Sequence, residues 1–168
     1  MKRRELIKAI FILPGTALVY IPGVVHWLWS DKPGAVMPAD ASQSRFWVGL
    51  LLAAFGFTLA VRTVRLFWTA GKGTPAPWAP PTKLVIRGPY RYVRNPMITG
   101  VLLLLAAESV LLGSWYLLGW MCVFFLLCTV FFLFVEEPGL EKRFGDSYRR
   151  YKANVPRWIP RWKPWDAP

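Results

Sequence analysis

The sequence predicts an all-α polytopic membrane protein of about four transmembrane helices, ending in a helical hairpin and an amphipathic cytoplasmic tail. Three observations predict it. Of 168 residues, 55% are hydrophobic and ten are Trp, yet the formal charge is +12. A soluble domain of this length has too little interior to hide so much apolar surface. The apolar residues also fall in four long blocks with the charges between them, and the cations gather on one side of those blocks.

The four blocks are Ala9–Trp29 and Trp115–Val135, each 21 residues without a formal charge, Phe46–Val61 with 16, and Met97–Leu112, interrupted only by Glu108. A spanning helix needs roughly 20 apolar residues, fewer where flanking side chains snorkel to the interface. One membrane domain over 1–168 follows, with two N-terminal spans in 1–70, a cytoplasmic loop over 71–96, a hairpin over 97–135 and a cytoplasmic tail over 136–168. Basic residues precede the first block, and Ala39-Asp40-Ala41 resembles a cleavage site. The block is longer than a signal core of roughly 7–15 residues, so it reads as a retained span.

Cation placement sets the orientation. Lys and Arg number four before the first block, seven from Arg62 to Arg94 and eight after Val135; only Lys32 and Arg45 lie elsewhere. With four crossings, 19 of 21 share one side, so both termini and the central loop face the cytoplasm, as in a bacterial inner membrane. Topology and anionic lipid account for the basic excess, and nucleic acid is not required. Cys122 and Cys128 read as packing residues, and no metal-ligand constellation is evident.

Pro14-Gly15 and Pro22-Gly23 predict a kink or division in the first span. His26, beside Trp27 and Trp29, reads as an interfacial side chain. Arg62 and Arg65 share a helix face near the inner surface. The stretch from Gly71 to Pro81 is too rich in Gly and Pro for helix. Gly113-Ser114 forces the last two spans into an antiparallel hairpin. Glu108, about a turn from that outer end, is an intramembrane carboxylate, with a solvent-reaching or hydrogen-bonded role as its simpler reading. In the tail, Leu140, Phe144, Tyr148, Tyr151 and Val155 form an apolar stripe, with Lys142, Arg143, Arg149, Arg150 and Lys152 on other faces. Trp158, Trp162 and Trp165 among Arg157, Arg161 and Lys163 resemble an interfacial anchor.

Chemistry concentrates in two segments. Arg87-Gly-Pro-Tyr-Arg-Tyr-Val-Arg-Asn-Pro runs into the third span, with Asn95 as N-cap and Pro96 as first helical residue. A helix start presents free N–H groups to an anion, and Arg91 and Arg94 add charge there. Glu136-Glu137, at the inner end of the fourth span, opposes both the helix dipole and the usual inside bias toward cations. The hairpin brings the two segments together. Such a pair suits a zwitterionic ligand with an amino-acid moiety or a cationic centre, although Glu136 and Glu137 could instead simply pair with the arginines.

Gly88-Pro-Tyr-Arg-Tyr-Val-Arg-Asn-Pro, Gly100, Glu136-Glu137, Leu140, Phe144-Gly145, Tyr148, Tyr151 and Val155-Pro156 resemble, in order and spacing, the membrane methyltransferases related to isoprenylcysteine carboxyl methyltransferase and phospholipid methyltransferase. The resemblance covers roughly residues 83–160. It implies S-adenosylmethionine as cofactor, with Tyr90, Tyr92, Val93, Arg94, Asn95, Pro96 and Gly100 on one wall and Glu136 and Glu137 on the other. Phe144, Tyr148, Tyr151 and Pro156 would close over it, and a lipidic or amphiphilic small acceptor would arrive from the bilayer. Glu137 would accept a proton, and Arg149 would orient an anionic acceptor. The family usually carries His where this chain has Asn95, which does not titrate near neutrality, so no general base acts there. The prenylcysteine enzymes also carry basic residues before the Glu pair, where this chain has Phe131-Phe-Leu-Phe-Val135. Two other readings share the scaffold: a non-catalytic membrane subunit or small-molecule carrier, and a nicotinamide-dependent membrane reductase.

Overall fold

The computed structural model describes residues 12, 14–33, 38–71 and 82–166, and all of its regular structure there is helical. The basic N-terminal tail and residues 72–81 of the Pro- and Gly-rich connection lie outside these. We number the helices α1 (Thr16–Trp29), α2 (Ser44–Gly71), α3 (Pro96–Leu112), α4 (Trp115–Phe144) and α5 (Asp146–Asn154). Helices α2 and α4, of 28 and 30 residues, are long and apolar enough to cross a bilayer, whereas α1 and α3 are apolar but shorter.

The prolines of α1 and α4 leave the same mark. Each helix widens by one residue just before its proline: over Thr16–Tyr20 ahead of Pro22, and over Phe132–Glu136 ahead of Pro138. In each wide turn the closing N–H reaches back five residues, Ile21 to Thr16 and Glu137 to Phe132. A proline offers no N–H and its ring collides with the carbonyl four residues earlier, so an extra residue in the turn lets the helix continue. The prolines thus widen these helices without ending them. The fourth apolar block stops at Val135, but α4 runs on to Phe144, so Glu136 and Glu137 sit within a continuous helix.

The hairpin forms as its turn requires. Gly113 ends α3 at φ +59°, in the left-handed region, and the Ser114 hydroxyl accepts the Leu117 N–H at 3.4 Å to cap α4. The most extensive packing of α3, however, is against α2. Over Ser44–Leu66 the buried residues of α2 are Gly49, Gly56 and Thr63, one every seventh position. Such a stripe of small residues lets two helix backbones approach closely, as packing between apolar helices favours.

Between α2 and α3 the chain makes a one-turn 3-10 helix, Gly88–Arg91, led by Gly88 at φ +56°. After Gly145, also at positive φ, α5 packs Tyr148 and Tyr151, with Val155 beyond its end, against Leu84, Ile86, Leu140, Phe144 and Trp165. The apolar stripe of the tail is therefore spent on the protein itself.

Candidate functional site

A cavity of about 310 Å³ opens where α3 begins and α4 widens. Its position follows from the packing: α3 leans on α2, so its first turn stands apart from α4. Asn95, Met97 and Ile98 supply the α3 side, and Phe131, Phe132, Val135 and Glu136 supply the wide turn of α4. Gly139, Leu140, Arg143 and Phe144 extend that face, and Tyr148 and Tyr151 close it from α5. Phe67, Lys83, Leu84, Val85 and Tyr90 complete the lining.

The site's back wall is electrostatic. Glu137, with 5% of its side chain exposed, accepts through Oε1 from Arg94 Nη1 at 2.8 Å and Arg157 Nε at 2.7 Å, while Lys152 Nζ stands 3.3 Å from Oε2. Lys152 also donates to Glu141 at 2.8 Å. Three cations thus neutralise one buried carboxylate. The arrangement satisfies its lone pairs and avoids the cost of an unpaired interior charge.

The chain beyond α5 forms a strap over the Gly88–Arg91 turn. Arg94 N–H donates to the Pro156 carbonyl at 2.9 Å, Arg161 N–H to Tyr92 at 3.0 Å and Trp165 N–H to Arg91 at 2.9 Å. Asp166 pairs with the Arg91 guanidinium, and the Tyr151 hydroxyl donates to the Tyr90 carbonyl at 2.7 Å. Trp158 packs on Phe125 and Phe132 of α4, and Trp165 on Tyr151. Of the three tryptophans read as an anchor, only Trp162 is fully exposed.

Burial governs the phenols around the cavity. It pushes Tyr148 up to about 12, with the Glu137 charge adding and Arg94 opposing, and it raises Tyr151 and Tyr90 as well. All three stay neutral at physiological pH and act as hydrogen-bonding walls.

Of the residues marked in the sequence, Tyr90, Arg94, Asn95, Glu136, Phe144, Tyr148 and Tyr151 line the cavity. Val93 and Pro96 are buried beside it, Tyr92 is 36% exposed, and Pro156 serves the strap through its carbonyl. Gly100 packs against Gly56 of α2. Glu137 lies behind the wall, and Arg149 is exposed and paired with Asp146 at 2.9 Å. Asn95 does not cap α3 with its side chain; its buried Nδ2 and the buried Nε of Arg94 have no partner among the described residues. Sequence reasoning missed Lys83, Arg143, Lys152 and Arg157. Arg143 was within reach, because Glu136, Gly139, Leu140, Arg143 and Phe144 follow helical spacing along one face.

Two buried donors that lack acceptors among the described residues thus share the cavity with a carboxylate and several aromatic rings. Comparison with known proteins gives the family. The family model of the phospholipid methyltransferases matches residues 44–147, and the chain belongs to this family of membrane methyltransferases. It is 42% identical over 65 residues to an uncharacterized protein of Haemophilus influenzae, covering 38% of this chain and the whole of that one. It is 36% identical over 80 residues to the protein-S-isoprenylcysteine O-methyltransferase of Schizosaccharomyces pombe, covering 46% of this chain and 33% of that enzyme. The match thus spans about a third of the yeast relative's length. No solved structure matches the chain.

Proposed function

We propose that this protein transfers a methyl group from S-adenosylmethionine to a lipidic or amphiphilic small acceptor in the cavity between α3 and α4. The observation that carries this reading is the pairing of unsatisfied buried donors, Asn95 Nδ2 and Arg94 Nε, with Glu136 on the opposite wall. The donors suit a carboxylate, and Glu136 suits an ammonium or sulfonium. The flat rings of Phe67, Phe131, Phe132 and Phe144 suit a heterocycle and attract a cation through their faces.

When bound, S-adenosylmethionine supplies a methyl group already activated by its sulfonium. What the chain adds is alignment and dryness. Asn95 and Arg94 fix one end of the ligand, Tyr148 and Tyr151 exclude water from the side of α5, and the strap holds the Gly88–Arg91 turn in place. Holding two reactants in register is worth roughly 7–11 kcal/mol of barrier. Where the acceptor is an amine or a thiol, its proton passes to a carboxylate oxygen of Glu136. Glu136 takes this role over Glu137 because it lines the cavity, whereas Glu137 is committed to three cations. Arg149 stays a candidate for orienting an anionic headgroup at the surface.

We further place four crossings in a bacterial inner membrane with both termini cytoplasmic, which puts the cavity at the inner surface. A carrier without turnover is the second reading, favoured by Asn95 standing where the family usually has His. Calorimetry with S-adenosylhomocysteine, paired with transfer of labelled methyl to total bacterial lipid, tests both. Binding with transfer supports the enzyme, binding alone supports the carrier, and neither defeats the proposal.

A further inference from the structure

Glu137 and Arg94 are paired in an unusual way. A lone arginine beside a buried carboxylate normally engages it with two parallel N–H bonds along one edge of the guanidinium, often the edge that carries Nε. Here Arg94 gives Glu137 only Nη1, at 2.8 Å, because Arg157 Nε occupies the same Oε1 at 2.7 Å. Lys152 stands at Oε2, at 3.3 Å. Oε1 is therefore doubly occupied and Lys152 stands at Oε2, while Arg94 Nε keeps no partner among the described residues although the Arg94 side chain is only 10% exposed. An N–H left unpaired at such depth is costly unless a ligand completes it. Arg94 lines the cavity, with the unpartnered Asn95 amide next to it in the chain.

We propose that Arg157 and Lys152 are positioning residues: by occupying Glu137 they keep Arg94 from turning its Nε edge onto that carboxylate and leave the Nε–H available to the anionic group of the bound ligand. This rests on the cofactor reading above. It also gives the strap a task beyond covering the Gly88–Arg91 turn. Arg157 leads directly into Trp158, whose ring packs on Phe125 and Phe132 at 5.0 and 5.9 Å, so strap docking and the state of Arg94 are linked through one side chain.

The test is calorimetric titration of the purified full chain with S-adenosylhomocysteine, in wild type, Arg157→Gln, Arg157→Lys, Arg94→Gln and the double variant Arg157→Gln/Arg94→Gln. We expect Arg157→Gln to raise Kd about tenfold, equivalent to ~1.4 kcal/mol, and Arg157→Lys to restore affinity by returning a cation to Oε1. In the Arg94→Gln background, Arg157→Gln should add nothing, because both act through one guanidinium. A merely structural arginine would lower the melting temperature and give additive effects. Unchanged Kd in Arg157→Gln, or additivity in the double variant, overturns the proposal. Absence of binding in wild type defeats the cofactor reading itself, and this inference with it. If Arg157→Gln does not fold, Lys152→Gln, at a half-exposed position, is held to the same criterion with an expected rise of about threefold.

Discussion

Gly56 of α2 and Gly100 of α3 meet backbone to backbone: a Cβ built on Gly100 would lie 2.9 Å from the Gly56 carbonyl oxygen, and one on Gly56 would lie 2.8 Å from the Gly100 carbonyl. At Gly100 the nearest atoms are all backbone, of Gly56 and Ala60, and none can yield as a side chain would. Gly100→Val should therefore push α3 away from α2, at a cost of about 1–3 kcal/mol from overpacking. Thermal unfolding in detergent measures it. Because α3 also carries Asn95, affinity for S-adenosylhomocysteine should fall in the same variant, whereas a substitution at lipid-facing Phe55, 71% exposed, should leave both unchanged.

Glu136→Gln keeps size and hydrogen bonding but removes the proton acceptor. Methyl transfer to an amine or thiol acceptor should fall about 10²-fold or more, the usual worth of a general base. Affinity for S-adenosylhomocysteine should fall much less. Steady-state kinetics with labelled donor separates the two effects. An equal loss in binding and turnover would assign Glu136 to holding the ligand alone.

Tyr148, pushed up to about 12 by burial, makes stability sensitive to alkali. The group is neutral in the folded state and ionises more readily unfolded, so its contribution is complete below pH 10 and is lost as pH rises through about 12. Ultraviolet titration should show a phenol that ionises only in that alkaline range. Tyr148→Phe should remove it and flatten the alkaline limb of the melting-temperature profile.

The hairpin turn offers a fourth check. Gly113 sits at φ +59°, where an L side chain costs roughly 1–2 kcal/mol. Gly113→Ala should lower stability by that amount without altering ligand affinity, since the turn lies at the end of α3 opposite the cavity. Parallel melting and calorimetric curves would show it.

How much of this was legible follows from which signals are local. Block lengths and charge placement gave an all-helical membrane protein, and Gly113-Ser114 gave the hairpin. The family motif gathered seven cofactor positions that line the cavity, from Tyr90 to Tyr151, and the apolar stripe added Leu140. That Glu136 and not Glu137 lines the cavity was not legible. Adjacent residues on a helix point about 100° apart, and which one faces the cavity depends on the wide turn that Pro138 imposes. Nor was the approach of α2 to α3, because Gly49, Gly56 and Thr63 acquire meaning only when a partner helix is known. Lys152 and Arg157 read as surface charge until Glu137 is found buried between them. The tail's tryptophans read as membrane anchors because composition cannot distinguish an aromatic resting on lipid from one resting on Phe132.

The strap comes later in the chain than every element it covers. During synthesis, then, α2, α3 and α4 emerge while the Gly88–Arg91 turn is still uncovered and Glu137 still lacks Arg157. The helices are assembled first, and the turn that leads into α3 is fastened to them afterwards. Cutting the chain after Asn154 should therefore leave the helices assembled but the turn beside the cavity unfastened and Glu137 short of one cation, which is a way to separate faults of assembly from faults of chemistry.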